Sequence, residues 1–405
     1  MWRRLDCLKA SVWDFQLTKE LFVAYNFAPF NDGSAVTAVK RLFELDCKTD
    51  VVSCDLSSVR NRDASLLELV RDKIDRHAII KSVVRFAHWD SICDFVTKGW
   101  ASIDEWNENY RSIYSRSMWV HSHFLAAVAR SRCASQHWNA EFSDPLLWNV
   151  DGSVRQTADV EISSLLAREL LGLVPTDIQG LLVNDRRVVY WAQIVTFFVA
   201  DILTFTNEQQ AQLMISDVPQ EYRRQLWEKT AISPHPTLPA HLYGVGDDNR
   251  DSGVEKYKLG YFGNFYANRG SSTFLEAWAS LPDETANRLQ LSVYSDSAAG
   301  LDYYATNLGL ADRIQIHKPL TFLSFLRILN QFDGLLVSDI STRPFTVPCP
   351  YLPSKVSDYK GATSEMVALY LDGSPLSTFD VGRRADVNSI ADIRRLLQDL
   401  AVGPS

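Results

Sequence analysis

The chain has 405 residues, 46% of them hydrophobic and 22% charged, and a formal net charge of −8. That length is generous for one domain and comfortable for two, and the composition lets each half bury its own core. The acidic balance excludes a non-specific coat on nucleic acid but not a local basic pocket for a phosphorylated ligand.

Leu21 to Tyr25 reads as a strand, followed by a turn-rich loop, Asn26 to Gly33, and a helix capped by Ser34 with Ala35, Val39, Leu42 and Phe43 on its apolar face. Asp50 to Cys54 reads as the next strand, so the opening is a βαβ unit of a parallel sheet. Further on, a strand is expected near Met118 to Val120 and a helix from His123 to Arg130. The apolar run Val188 to Phe205 holds Gln193 and Asp201 and reads as a buried helix, too short and polar to span a membrane. Gly244 to Gly253, with three aspartates and almost nothing apolar, reads as a linker between domains.

Beyond the linker the pattern repeats. Lys258 to Phe262, Leu289 to Tyr294, Ile314 to Ile316 and Leu335 to Val337 read as strands; helices start at Ser271 or Ser272 and span Thr321 to Asn330. Alternation of this kind in both halves predicts an α/β chain of two facing, Rossmann-like, doubly wound domains, with ligands in the cleft at the carboxyl ends of the strands.

The six cysteines are scattered with no Cys-x-x-Cys, as suits a reducing compartment, and no apolar run follows the basic start at Met1 to Arg4, so the expected location is cytoplasmic. The sequence has no P-loop, no His-Glu-x-x-His, no Gly-x-Ser-x-Gly, no complete Gly-x-Gly-x-x-Gly after either first strand and no Asp-x-Asp. Bound phosphates would therefore rely on protein cations and helix N-termini, without a metal.

Three strand ends offer such groups. At Asn31-Asp32-Gly33-Ser34, Gly33 permits close backbone approach to a ligand, or the segment is a plain helix start. In Gly263-Asn264 through Arg269-Gly270, Arg269 precedes a helix and either pairs with a diphosphate or is a solvated loop arginine. In Pro353-Ser354-Lys355 through Asp358, Lys355 stands in a first helical turn, where a cation opposes the helix dipole unless an anion is bound. Asp358, one turn on, is placed to reach ribose hydroxyls, or the segment is a capped surface helix. In the first half, His121 and His123 fall on one side of an extended segment, and Glu141 and Asp144 either orient sugar hydroxyls or cap the turn at Pro145.

The order of these motifs resembles the retaining GT-B glycosyltransferases, in particular the family 4-like enzymes of bacterial envelopes. The resemblance is carried by Tyr25 to Lys40, Tyr114 to Ala127, Trp138 to Pro145, Leu259 to Ala277 and, most specifically, Pro350 to Leu376 with its Pro-Ser-Lys. It implies a nucleotide-sugar donor used without a cofactor or metal, a glycan or lipid-linked acceptor, no nucleic acid, and possible peripheral contact with the membrane. It also implies an acceptor-side domain over 1–245, a linker over 246–256, a nucleotide-sugar domain over 257–385, and a C-terminal helix and tail over 386–405 that return to the first domain. By the same resemblance, Gly33 and Ser34 line the donor phosphates together with Gly263 and Asn264. Arg269 neutralises the leaving diphosphate, Ser354 and Lys355 stand near the phosphates, Asp358 holds the ribose, and His123 touches the donor sugar. Two departures stand out: Asn264 occupies a position that is often basic, and the Glu-x7-Glu pattern is replaced by the lysine-containing variant. A nucleotide-sugar epimerase or a non-catalytic sugar-binding subunit on the same fold is the competing expectation.

Overall fold

The computed structural model describes residues 19–133, 137–245, 256–297, 299–340 and 349–402. The expected linker lies, but for Gly244, Val245 and Lys256, outside them.

The first sheet contains β1 (Glu20–Ala24), β2 (Thr49–Cys54), β3 (Ile74–Ile80), β4 (Ser112–Ser117), β5 (His137–Phe142), β6 (Ile202–Phe205) and β7 (Thr230–Ile232). The second contains β8 (Tyr257–Phe262), β9 (Leu289–Tyr294), β10 (Ile314–His317), β11 (Gly334–Ser338), β12 (Glu365–Tyr370) and β13 (Arg383–Asp386). Their orders are β3-β2-β1-β4-β5-β6-β7 and β10-β9-β8-β11-β12-β13, with every pairing parallel. Strand order reverses between β1 and β4 in one sheet and between β8 and β11 in the other. Loops leaving neighbouring strands at such a point diverge to opposite faces and open a crevice at the carboxyl ends.

Three apolar cores follow. One packs helices such as Trp89–Trp106, His121–Arg132 and Val188–Val199 against the first sheet. Another fills the far face of the second sheet with Leu259, Trp278, Leu291 and Leu397. The middle core is shared between the halves: Phe22, Val39 and Leu66 pack in one layer with Phe325, Leu326 and Tyr359. Polar contacts cross the same boundary. The Asp63 carboxylate accepts from the backbone N–H of Phe322 at 2.6 Å, the Tyr243 hydroxyl donates to the carbonyl of Asp358 at 2.8 Å, and the Lys40 ammonium pairs with the Asp358 carboxylate at 2.9 Å.

Several sequence-based expectations are corrected. Asp32, not Ser34, caps the helix Gly33–Glu44, its Oδ1 accepting from the N–H of Ala35 at 2.8 Å. Met118 to Val120 is a loop after β4. The run Val188 to Phe205 divides into the helix Val188–Val199 and strand β6, because Ala200 and Asp201 leave the helix and the Asp201 carboxylate accepts from the N–H of Trp138 at 2.9 Å. The C-terminal helix, Ile390–Val402, does not return to the first domain. Ile393, Leu396, Leu397 and Leu400 form one i, i+3, i+4, i+7 stripe, and it is buried in the second-domain core beside the helix Ser271–Ala279. Gly270 is part of the reason. Its φ is +74°, and a Cβ there would meet Val387 Cγ2 at 2.4 Å, so the segment entering the last helix lies directly on this turn.

Candidate functional site

Four strand ends at the two reversal points face one another. The first sheet contributes Gly33 after β1 and Arg116-Ser117 at the end of β4; the second contributes Gly263-Asn264 after β8 and Ser338 at the end of β11. Gly33 lies opposite Ser354 across the cleft, with Ser354 Oγ 3.9 Å from where a Cβ would stand.

On the second-domain side, Gly263, Asn264, Arg269, Ser338, Ser354 and Lys355 line one cavity of about 270 Å³. Arg269 and Lys355, 86 positions apart by their numbers, therefore share a wall. The cavity is built across the reversal point: Ser338 Oγ donates to the Arg269 carbonyl at 2.7 Å, and Arg269 Nη1 donates to the Ser338 carbonyl at 3.4 Å. No carboxylate among the described residues forms an ion pair with Arg269. Gly263 turns the chain at φ +128°, and Asn264 Oδ1 accepts from Ser295 Oγ at 2.7 Å. Behind the wall lies Asp339, whose Oδ2 accepts from Ser374 Oγ at 2.5 Å and from the N–H of Leu371 at 2.8 Å; burial pushes its carboxyl up to about 6.

Lys355 opens a five-residue helix, Lys355–Tyr359, and its placement has partners without a ligand: the Phe325 ring 4.0 Å from the ammonium and Asp358 Oδ2 at 3.4 Å. Asp358 is itself 3% exposed. Its Oδ1 is held by Lys40, which reaches in from the helix Gly33–Glu44 and also donates to Ser357 Oγ at 2.7 Å. Burial lowers the Lys40 ammonium, and Asp358 offsets only part of that. A cavity of about 170 Å³ remains between Gly33, Lys40, Ser354, Lys355 and Asp358. Another, of about 700 Å³, runs from Gly263 and Asn264 past Tyr294 to Lys318.

The first-domain side is a cavity of about 730 Å³ lined by Gly33, Ser34, Arg116, Asp144, Arg155 and His235 among others, and Arg269 and Ser354 reach it as well. Asp144 is exposed on this floor, yet the walls around it withhold enough water to raise its carboxyl, against the pull of Arg116, Arg155 and Arg269. Glu141 is fully buried below. It pairs with Arg116, its register partner on β4, and with Arg41 at 2.7 Å, and it accepts from the Tyr114 hydroxyl at 2.7 Å. Burial works to raise the Glu141 carboxyl, but the two guanidinium groups overcome it and hold the carboxyl below its usual range.

Two expected contacts are therefore not made. Glu141 is occupied beneath the cleft floor and presents no oxygen to a sugar. His123 lies within the helix His121–Arg132, 1% exposed, with Nδ1 on Ser115 Oγ at 2.8 Å and its ring against Phe142 and Trp138. It lines none of the four cavities described. His121 is not on the same side of an extended segment but two residues earlier on the same helix, turned to a different face against Tyr25 and Phe95. The sequence reading also missed Lys40, Arg116, Arg155 and His235. The signals available were a lysine on the apolar face of a helix and opposite charges on two strands of one sheet, each of which demands a buried partner.

Among the described residues no three His, Cys, Asp or Glu side chains converge to hold a metal ion, and no helix is long and apolar enough to cross a membrane.

No protein-family model matches the sequence, and no curated protein matches it. Solved structures do match. Sucrose-phosphate synthase from Thermosynechococcus elongatus superposes with a TM-score of 0.62 at 12% identity, over 95% of this chain and 90% of that one. The catalytic domain of starch synthase IV from Arabidopsis thaliana, bound to ADP and acarbose, gives 0.61 at 10% identity, over 96% and 92%. A UDP-N-acetylglucosamine 2-epimerase gives 0.51 at 11% identity, over 96% and 88%. Identity this low speaks to fold, and the fold is GT-B: two facing Rossmann-like domains, as in the glycosyltransferases this chain is similar to.

Proposed function

We propose that the protein is a glycosyltransferase that moves a sugar from a nucleotide sugar to a glycan or lipid-linked acceptor, with retention and with protein cations rather than a metal neutralising the leaving diphosphate. The observation that carries this reading is the meeting of Arg269 and Lys355 on one wall beside Gly263 and Asn264. Two cations in one wall repel, by about 1 kcal/mol at 4 Å in water and several-fold more when partly buried. Asp358 relieves Lys355, whereas among the described residues Arg269 has one side-chain hydrogen bond, to the Ser338 carbonyl, and meets Asp144 and Asp339 through space without an ion pair, so a dianion completes the site. In this reading the bond between the anomeric carbon and the diphosphate oxygen breaks as a bond to the acceptor oxygen forms on the same face. The acceptor proton passes to the departing diphosphate, so no protein nucleophile is required. Arg269 and Lys355 stabilise the charge that grows on the leaving oxygens. Asn264 at the often basic position leaves this work to them. The Tyr294 end of the neighbouring cavity, where the ring stacks on His317 at 4.6 Å, suits the nucleoside base.

The test is calorimetric titration with a nucleoside and its diphosphate, after a thermal-shift screen of UDP, GDP, ADP and TDP. Charge-assisted hydrogen bonds contribute about 1.5–3 kcal/mol each, so Arg269→Ala and Lys355→Ala should each weaken the diphosphate about tenfold or more and the nucleoside far less. Equal losses for both ligands would refute the phosphate assignment. Diphosphate binding should also survive EDTA; its abolition by the chelator, restored by Mg²⁺, would overturn the metal-free part of the reading. A second reading, epimerisation of a nucleotide sugar, is supported by the likeness at a TM-score of 0.51. It predicts a changed sugar still attached to its nucleotide when donor and protein are incubated alone, where transfer predicts none.

A further inference from the structure

We propose that the first-domain wall of the cleft recognises an acidic substituent, carboxylate or phosphate, on the acceptor, so that the glycosyl group passes to an anionic glycan. The inference rests on the proposed function for the word acceptor, but the site itself stands on its own observations.

The first observation is charge. The chain carries −8 overall, yet beneath the cleft floor Arg41 and Arg116 converge on one buried carboxylate, Glu141, and the further partner of Arg41 is the half-exposed Glu44 at 3.6 Å, at the solvent side. Arg155 adds a further cation. Among the described residues its side chain is bound to neutral groups alone, with Nε on Asn149 Oδ1 at 3.3 Å, Nη2 on the Trp148 carbonyl at 3.0 Å and the guanidinium 5.8 Å over the Phe86 ring. No carboxylate among the described residues forms an ion pair with Arg155; Asp144 shares the wall but does not reach it. Arg155 lines this cavity and none of the three around Lys355, so a diphosphate held there would leave it uncompensated.

The second observation is unmet hydrogen bonding. Arg116 and Ser117 are 3% and 0% exposed, both line the cavity, and Arg116 Nε and Ser117 Oγ have no hydrogen-bond partner among the described residues. A buried donor without an acceptor is costly, and native proteins rarely keep one except where something else satisfies it. A fixed guanidinium beside a hydroxyl is a donor-rich pair, which matches an anion better than a sugar hydroxyl. The cavity of about 730 Å³ has room for a sugar carrying such a group.

The experiment is calorimetric titration with glucuronate, glucose 6-phosphate and glucose, with and without pyrophosphate to fill the pocket at Arg269 and Lys355. At least one acid should bind about tenfold tighter than glucose in the presence of pyrophosphate, and which of the two does so identifies carboxylate or phosphate. Arg155→Gln should reduce that preference to about threefold or less while leaving pyrophosphate binding and the thermal midpoint unchanged. Ser117→Ala, which removes no charge, should weaken the preferred acid without affecting glucose. Failure of both acids to exceed glucose overturns the inference. So does a preference that survives Arg155→Gln, or competition between the acids and pyrophosphate, which would make the anion site the diphosphate pocket itself. Arg269→Ala separates the two readings: loss of pyrophosphate binding with the Arg155-dependent preference intact supports both. If pyrophosphate never binds while that preference persists, the donor assignment falls and the anion site stands.

Discussion

Replacing Lys40 by methionine is expected to destabilise the protein by about 3 kcal/mol or more, the cost of leaving one member of a buried ion pair behind. Lys40 is 1% and Asp358 3% exposed, and their 2.9 Å contact joins the first helix of one domain to the cleft helix of the other. Without Lys40, the ion pair left to Asp358 among the described residues is Lys355 at 3.4 Å, on a side chain about a third exposed, and Ser357 loses a donor. In domains of this size that corresponds to a thermal midpoint lowered by roughly 6–12 °C. The double variant Lys40→Met/Asp358→Leu should recover most of the loss, because a buried pair replaced by apolar groups of similar volume is often neutral. Thermal and chemical denaturation of the three proteins checks both statements; a Lys40→Met protein within 0.5 kcal/mol of the parent would show that the pair contributes nothing net. The pair also bears on the proposed role of Asp358. A carboxylate already held by Lys40 and Lys355 can accept from a ribose only by sharing its oxygens. Lys40→Met should therefore tighten nucleoside binding if the cleft stays closed, and Asp358→Asn should weaken nucleoside and diphosphate alike.

The parts of this molecule legible in its sequence were those governed by local rules. Leu289 to Tyr294 was read with its observed bounds, and β1, β2, β8 and β11 within a residue or two, because apolar runs between turn residues have few other solutions. The helix Ser271–Ala279 followed from Gly270 and the spacing of Phe274, Leu275 and Trp278. Arg269 and Lys355 were expected on one wall because parallel strands put their following loops at a common edge, and they line one cavity. What escaped was decided by contacts across the fold. The Val188 to Phe205 run gives no local sign of where helix yields to strand, since most of it is buried in both the helix and the strand. The last helix presents the same apolar stripe whichever domain covers it; Gly270 and Val387, more than a hundred residues apart by number, settle the matter. His123 next to a strand end looked like a cleft residue, but a histidine turned inward between Trp138 and Phe142 has the same sequence neighbours. Arg116 and Glu141 each look anomalous in a strand, and only the β4–β5 register shows that each explains the other.

Those inward-facing histidines give the fold a predictable weakness to acid. His121 and His123 are 0% and 1% exposed, and burial lowers both to about 3, His123 with a further push from Arg116. Each therefore has a folded value below its unfolded value of about 6.5. Between the two values the unfolded chain binds a proton that the folded chain refuses, so stability rises with pH across that window and is lost as pH falls through it. At pH 5 the unfolded state gains about 2 kcal/mol from each histidine, or about 4 kcal/mol together, a large share of the 5–15 kcal/mol that holds an ordinary domain. His77, lowered to about 4 by burial, acts in the same direction. All three belong to the first sheet and its helices, and the second domain has no counterpart among the groups whose shift is resolved except Asp339. Asp339 acts the other way, as does Asp217 in the first domain: each raised carboxyl, near 6, takes up a proton in the folded state first and so favours folding as pH drops below that value, but in the first domain His235, also lowered by burial, adds to the three histidines that oppose it. Acid unfolding between pH 6.5 and 4 should consequently begin in the first domain. Tryptophan fluorescence and amide hydrogen exchange followed across that range should show the helix His121–Arg132 losing protection before β8, β9 and β11. His123→Gln, which cannot take up the proton, should shift the acid midpoint downward even where it costs stability at pH 8, an outcome that a purely structural role for the ring does not produce. Loss of protection in both domains at one pH, with a midpoint unmoved in His123→Gln, would show that other groups set the acid limit.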